Sequence, residues 1–464
     1  EGVDFQVSLD ITPPVAYMIS HPRFKDYFSR YLLRMKEHAK ATLALMKSRL
    51  EAPEWVWAGQ RHLDQILEIE NFYHNDIHKD MIGAFRWLEH SGFLELSTCT
   101  ATHGMPANLE TIPASLNAQI GLAALSHQRI FGLYPKGIWL AENSCFPGIE
   151  KYLASRGLHY YFTEAEAVLQ ADKRPNEDEF NPLLSPDEPV VAFGRSRMGR
   201  VQVWDAEIGY AGHPDFREYH HRHWGLPLKR ITSKTSWSKS PYNPQWAVAR
   251  AQEMGQDFYN KLCGKADELR RRHLKAFPLI TCSYDAELFG HHWYEGPHFL
   301  EELLREFHRK SSHIGLTTPS HYLAQYKDLP QARPNPSTWG HEAQHSRWND
   351  PQVAWTQREL ERADGLQRHY LKLCLEGELQ GFYQACVIQM GRELLRATSS
   401  DLTFVIMSGD FVEDMRREIL KYLDYFYRLK SLVDNRETDQ DFLDFRQFEN
   451  DMFVEMGQYY GLKQ

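Results

Sequence analysis

Apolar runs punctuate the chain, and several are nearly unbroken. VDFQVSLD (3–10), FLELSTCTAT (93–102), KGIWLAE (136–142), LHYYFTE (158–164), VQVWDAE (201–207) and FPLITCSYD (277–285) all read as strands. A continuous apolar run marks a strand covered on both faces, the pattern of a parallel sheet. Between these runs the spacing becomes helical, as in IEKYLASRG (149–157) and WAVARAQEMGQDFYNKLCGKADELRRRHLKAF (246–277). Strands alternating with helices predict a parallel sheet or a β/α barrel. Residues 18–88 read as mostly helical, an insertion among the early strands. Residues 168–200, rich in Pro, Asp, Glu and Asn, read as a long loop of the kind that covers or binds a ligand. LPQARPNPSTWG (329–340) marks a boundary, beyond which the pattern is almost wholly helical. The expected domains are 1–330, α/β, and 331–464, helical.

Composition narrows the function. With 464 residues the chain exceeds one ordinary core, in keeping with a large and a smaller domain. A net charge of −9 and the lack of a long basic run argue against nucleic-acid binding. No apolar run approaches a membrane span, and no signal peptide is visible. Six scattered cysteines form no CxxC pair, so neither a zinc site nor a disulfide framework is indicated, and a cytoplasmic setting is expected. The chain starts at Glu1 and runs straight into a strand pattern, so a preceding segment is expected to be missing. The 12 Trp and 23 Tyr hint at carbohydrate, since sugar rings stack on flat aromatic faces, although large proteins also bury aromatics simply for packing.

Two predicted strands end on acidic groups beside aromatics, GIWLAE at Glu142 and CSYDAELFGHHWYEG at Asp285. In β/α architectures catalytic groups gather at the carboxyl ends of strands. A pair of facing carboxylates is the machinery of glycoside chemistry, one attacking the anomeric carbon while the other donates and recovers a proton. The plainer alternative is that Glu142 caps a helix beginning near Pro147 and Asp285 merely ends a strand. His291 and His292 follow Asp285. As neighbours on a strand they would point to opposite sides, so no metal site is expected there.

These motifs resemble glycoside hydrolase family 57, most closely its 1,4-α-glucan branching enzymes. The nucleophile motif G-x-W-L-P-E is matched by Gly137, Trp139, Leu140 and Glu142. The acid/base motif Y-D-x-E-L-F-G-H-W-W is matched by Tyr284, Asp285, Glu287, Leu288, Phe289, Gly290, His291 and Trp293. TATHG (100–104), with His103, resembles a donor-subsite stretch. VWDAEIGYAGHPDFREY (203–219), with Tyr210, His213 and Arg217, resembles another family segment. STWG (337–340), followed by Trp348 and Trp355, resembles the tryptophan-rich entry to the C-terminal domain, and RATSSDLTF (396–404), with Asp401, a further family segment. The resemblance covers about residues 3–430. It implies an incomplete (β/α)7 barrel-type catalytic domain with a helical C-terminal domain. It implies Glu142 as nucleophile and Asp285 as general acid/base, in a retaining reaction without metal or other cofactor, with the two carboxyls about 5–6 Å apart. His103, Trp139, Tyr210, His213, Arg217, His291, Trp293, Trp339, Trp348 and Asp401 are the expected α-glucan contacts, for amylose, glycogen or a starch-like polysaccharide.

The chain departs from the family pattern in several places. The His-x-His of the family's first strand has no counterpart. Ala141 replaces a Pro, Asn143 a Cys, His213 an Asp and Leu402 a Trp. The loop P-I-Y-T-P, whose Tyr shields the intermediate from water, aligns with Pro182-Leu183-Leu184-Ser185-Pro186 and puts Leu184 in place of that Tyr. The expected activity is 1,4-α-glucan branching. The alternatives are an α-amylase or 4-α-glucanotransferase, motivated by Leu184, and a non-catalytic glucan-binding homologue, motivated by the absent first strand. The oligomeric state is not legible.

Overall fold

The computed structural model describes the chain except residues 1, 177, 206, 234, 273–276, 312, 341, 342, 346, 347, 349, 463 and 464. It resolves into two compact units. One comprises residues 1–9, 19–95 and 195–327, the other 10–18, 96–194 and 328–464.

Six strands form one mixed, mostly parallel sheet in the order β1-β2-β3-β4-β6-β5. They are β1 (Val7–Asp10), β2 (Leu94–Cys99), β3 (Gly137–Trp139), β4 (Tyr160–Thr163), β5 (Leu183–Leu184) and β6 (Val191–Gly194). β2, β3, β4 and β6 run parallel, while β5 is antiparallel to β6. All four residues of β4 and of β6 are buried, as expected for strands covered on both faces. Gly137 has a packing reason as well as a motif. A Cβ there would lie 2.1 Å from the ring of Tyr160 on β4, so only glycine lets the two strands approach.

The second unit continues into helices Ala354–Leu375, Phe382–Ala397, Ser400–Ser408, Val412–Asn435 and Gln440–Glu449. One apolar core runs through both parts of it, from Ile138, Leu140, Tyr161 and Ala192 of the strand region to Val387, Met390, Phe426 and Leu429 of the helices. The predicted helical insertion is present in the first unit. Helices Pro22–Ser48 and Pro53–Asn71 each open on a proline at the first turn, where its missing N–H costs nothing. They pack Leu43, Met46, Ala58 and Ile66 against Leu226 and Leu228. Among the described residues no helix is long and apolar enough to cross a membrane.

Three expectations change. VQVWDAE does not form a strand: residues 201–204 end the helix Arg197–Trp204. The Ser196 hydroxyl caps that helix by accepting from the Gly199 N–H, and its buried positions, Gly199 and Val203, are four apart, a helical spacing. FPLITCSYD forms no ladder either. Thr281 makes an isolated parallel bridge to Arg195, whose Nε donates to the Ser283 carbonyl at 2.9 Å. The span 168–200 is not all loop, because it contains β5 and β6.

Candidate active site

Glu142 belongs to the second unit and Asp285 to the first. Three residues after β3 begins to pair, the chain reverses through Leu140–Ser144. Glu142 (φ 60°) and Asn143 (φ 53°) both adopt the left-handed conformation, which side chains other than glycine rarely take. Cys145 then bridges antiparallel to Ser337, with N–H to carbonyl bonds of 3.0 and 3.3 Å. This bridge delivers Trp339 to the turn. Its backbone N–H donates to the Glu142 carbonyl at 3.1 Å, and its indole Nε1–H donates to Glu142 Oε2 at 2.7 Å. Glu142 is only 8% exposed, so this charge-assisted bond replaces lost water. The Trp339 and Trp139 ring centroids lie 5.0 Å apart, and Phe162 continues the aromatic wall 5.9 Å from Trp139.

The other oxygen of Glu142, Oε1, faces His103 Nδ1 at 3.7 Å, and Asp401 Oδ1 lies at the same distance from that nitrogen. His103 (φ 59°) sits on a loop tied to the helical segment. Gln119 donates to Thr102 Oγ1 and Thr398 Oγ1 at 2.6 and 2.9 Å, and Gly104 bridges to Ser399. The Ser400 hydroxyl donates to the His103 carbonyl at 2.8 Å. With its one proton spent there, Ser400 Oγ accepts from Nδ1 at 3.0 Å, which assigns a proton to Nδ1. Among the described residues, His103, Glu142 and Asp401 are the one trio of metal-ligating groups, with ligand atoms within 4.8 Å of one another.

Other predicted contacts of this unit settle differently. Trp348 is 3% exposed and sits against Phe404, so it has no open face for a sugar. Trp355 packs partly buried against the apolar core. Leu184 is not on a flexible loop. Its N–H donates to Pro330 O, its carbonyl accepts from Ala332 N–H, and it pairs with Val191 across β5 and β6. The structure therefore places Leu184 in a short strand, held by backbone bonds on both sides, rather than in a flexible loop.

In the first unit, Asp285 precedes the short turn Ala286–Leu288, and its carbonyl accepts from the Leu288 N–H at 3.1 Å. The Tyr284 hydroxyl donates to the Gly199 carbonyl at 2.9 Å, and burial holds its pKa far above the usual phenol range. His291 and His292 lie on a turn rather than a strand, with rings 4.6 Å apart. Both approach Tyr219, whose hydroxyl meets His291 Nε2 at 2.9 Å. They therefore face one neighbour, not opposite sides.

Trp293, predicted as a sugar contact, is 1% exposed among Phe216, Phe289 and Phe299 and belongs to the core. Tyr210 is likewise buried, bonded through its hydroxyl to Asp257, and burial raises its pKa. His213 Nδ1 accepts the Asp215 N–H at 3.2 Å, and burial lowers the imidazole pKa. The Arg217 guanidinium stacks 3.1 Å above the Tyr294 ring. The Arg217 N–H donates to Glu295 Oε1 at 3.2 Å, an oxygen that also accepts the Tyr242 hydroxyl at 2.5 Å. Burial pushes the Glu295 pKa up. Glu295, Tyr242 and Glu164 carry no candidate role in the sequence, and Asn143 stands out there only as a departure from the family motif.

A profile described as glycosyl hydrolase family 57 matches residues 15–331, and one described as the C-terminal part of 1,4-alpha-glucan branching enzyme matches residues 367–459. A 1,4-alpha-glucan branching enzyme of Thermococcus kodakarensis is 28% identical over 92% of this chain and 66% of its own length. A probable 1,4-alpha-glucan branching enzyme of Mycobacterium tuberculosis is 30% identical over 47% of this chain and 41% of its own. The chain thus spans less than two thirds of these curated relatives. Among solved structures, a GH57-type branching enzyme of Pyrococcus horikoshii superposes with a TM-score of 0.87 at 25% identity, over all of this chain and 88% of that one. An alpha-amylase of Thermotoga maritima superposes with a TM-score of 0.88 at 25% identity, over 99% and 90%.

Proposed function

The chain belongs to glycosyl hydrolase family 57, and we propose that it is a retaining 1,4-α-glucan branching enzyme. The observation that carries this reading is the state of Glu142. One carboxylate oxygen is fixed by an indole N–H, and the other lies beside His103, which also faces Asp401, on the turn that follows a parallel strand. The match of the C-terminal helices to the branching-enzyme profile supports transfer over hydrolysis.

In this mechanism Glu142 Oε1 attacks the anomeric carbon of an α-1,4 bond while Asp285 gives its proton to the departing 4-oxygen. The glycosyl ester on Glu142 is then opened by the 6-hydroxyl of a second glucan, whose proton returns to Asp285. An α-1,6 branch forms and both carboxyls are restored. The Nδ1–H of His103 and the carboxylate of Asp401 supply a donor and an acceptor for hydroxyls of the donor sugar. Trp139 and Trp339 supply its apolar wall. The six thiols, none in a disulfide, fit a reducing cytoplasmic setting.

A second reading, hydrolysis, rests on the likeness to the Thermotoga alpha-amylase. Proton NMR of amylose after incubation separates the two. An excess of new α-1,6 signals over new reducing ends is expected, and an excess of reducing ends would replace branching by hydrolysis.

A further inference from the structure

We propose that Asn143 and Glu164 are positioning residues that hold the attacking carboxylate in register. The inference rests on the reading of Glu142 as nucleophile. The turn after β3 places two successive residues, Glu142 and Asn143, in the left-handed region, each carrying a side chain. The chain adopts that conformation at glycines such as Gly132 and Gly148 and at side-chain-bearing residues such as His103. At position 143 it uses a buried amide. Asn143 is fully buried, and its Nδ2 donates to Glu164 Oε1 at 3.0 Å. Only the amide nitrogen has a proton to give a carboxylate, so chemistry sets the orientation of the amide. Its Oδ1 has no hydrogen-bond partner among the described residues. A half-satisfied buried amide lowers stability, so the bond to Glu164 is the contact that accounts for an amide at this position.

Glu164, 2% exposed, is the first residue past β4, and β4 pairs with β3 in the register Gly137↔Tyr160 and Ile138↔Tyr161. The bond therefore ties the turn that carries Glu142 to the end of the neighbouring strand. The opposite side of the turn is tied by Trp339, through the Glu142 carbonyl and Oε2. Trp339 holds the carboxylate itself, while Asn143 and Glu164 hold the backbone it departs from. Attack on an anomeric carbon tolerates little displacement, since about 1 Å of misplacement costs on the order of 100-fold in rate.

The test compares Asn143→Gly, Glu164→Ala and Glu164→Gln in the full chain, with kcat and KM measured on amylose and the melting temperature of each variant. Asn143→Gly relieves the left-handed backbone but removes the anchor. It is expected to melt no lower than the parent and to lose roughly 10- to 100-fold in kcat, with KM within about twofold. Glu164→Ala should match that kcat loss. Glu164→Gln still offers an oxygen to Asn143 and should keep at least about a third of the parent kcat. Parental kcat in Asn143→Gly overturns the proposal, because it assigns the position to backbone geometry alone. A Glu164→Gln variant as slow as Glu164→Ala also overturns it, because charge rather than the hydrogen bond would then matter. Should Asn143→Gly fail to fold, the Glu164 pair decides. Glu142→Ala is the control for the underlying assignment: if it stays active, the nucleophile reading itself falls, whatever the other variants do.

Discussion

The surroundings of Glu142 and of Asp285 are built in opposite ways. Glu142 follows a strand paired on both sides, on a turn braced by Trp339, Asn143 and the Cys145–Ser337 bridge. Asp285 follows a segment with a single isolated bridge, held by side chains such as Arg195 and Tyr284 that reach to carbonyls. The Asp285 motif is nevertheless the longer and more specific of the two in sequence. Regular secondary structure is therefore no measure of how strongly a site is specified. The difference is what the proposed roles would require: a nucleophile that forms a covalent bond needs a fixed origin, whereas a proton donor acts across a hydrogen bond that tightens only with substrate bound.

The largest expected effect tests that division directly. Glu142→Ala and Asp285→Ala should each lose at least about 10³-fold in kcat on amylose. Added azide should distinguish the two. Azide takes the place of the missing nucleophile in Glu142→Ala and yields a β-glycosyl azide. In Asp285→Ala it traps the ester on Glu142 and yields an α-glycosyl azide. Swapped products would exchange the two roles.

Next comes a property in which the two regions should agree. His127 in the second unit and His62 in the first both have pKa values held to about 4, chiefly by burial. Each stays neutral when folded but takes up a proton below about 6.5 when unfolded. Stability is thus lost as pH falls from about 6.5 towards 4. For His127, only 3% exposed, the loss approaches the order of 3 kcal/mol. Denaturant titrations at pH 7 and pH 4.5 should show His127→Leu losing less stability between the two pH values than the parent loses. An equal loss in both would remove His127 from the account.

A smaller effect sharpens the Glu142 side alone. Trp339→Phe keeps the ring but removes the indole donor, and should lower kcat by about 10-fold, as loss of one hydrogen bond to a charged group does. No change would mean that the brace seen at Oε2 is not used in the reaction. The smallest expected effect is none. Leu184→Tyr should leave the ratio of branches to reducing ends unchanged by NMR, because β5 holds that residue in a ladder. A rise in branching would restore position 184 to the shielding role that its hydrogen bonds argue against.

Legibility followed locality. β2, β3 and β4 were plain in the sequence because each is an apolar run interrupted by turn residues. β5 and β6 were hidden, since VAFG and LL lie in a stretch dominated by Pro, Asp and Glu, and their pairing with β4 depends on distant residues. VQVWDAE carried a strand-like alternation, and the Ser196 cap turned it into a helix end. Glu164 had a signal that went unread. LHYYFTE ends on a carboxylate just as GIWLAE does, and the two strands are neighbours.

By itself, the sequence determined the mixed α/β class and the helical C-terminal part, and it pointed to Glu142 and Asp285 as the candidate carboxylates, because these depend on residue type and short spacing. Tertiary structure decided which tryptophans are walls and which are core. It also decided which oxygen of Glu142 accepts an indole N–H. That choice rests on an indole N–H from a residue 197 positions away, and the turn between two parallel strands rests on an amide braced against the next strand. Such bonds join side chains that only the folded backbone brings within 3 Å of one another, so no local pattern along the chain encodes them.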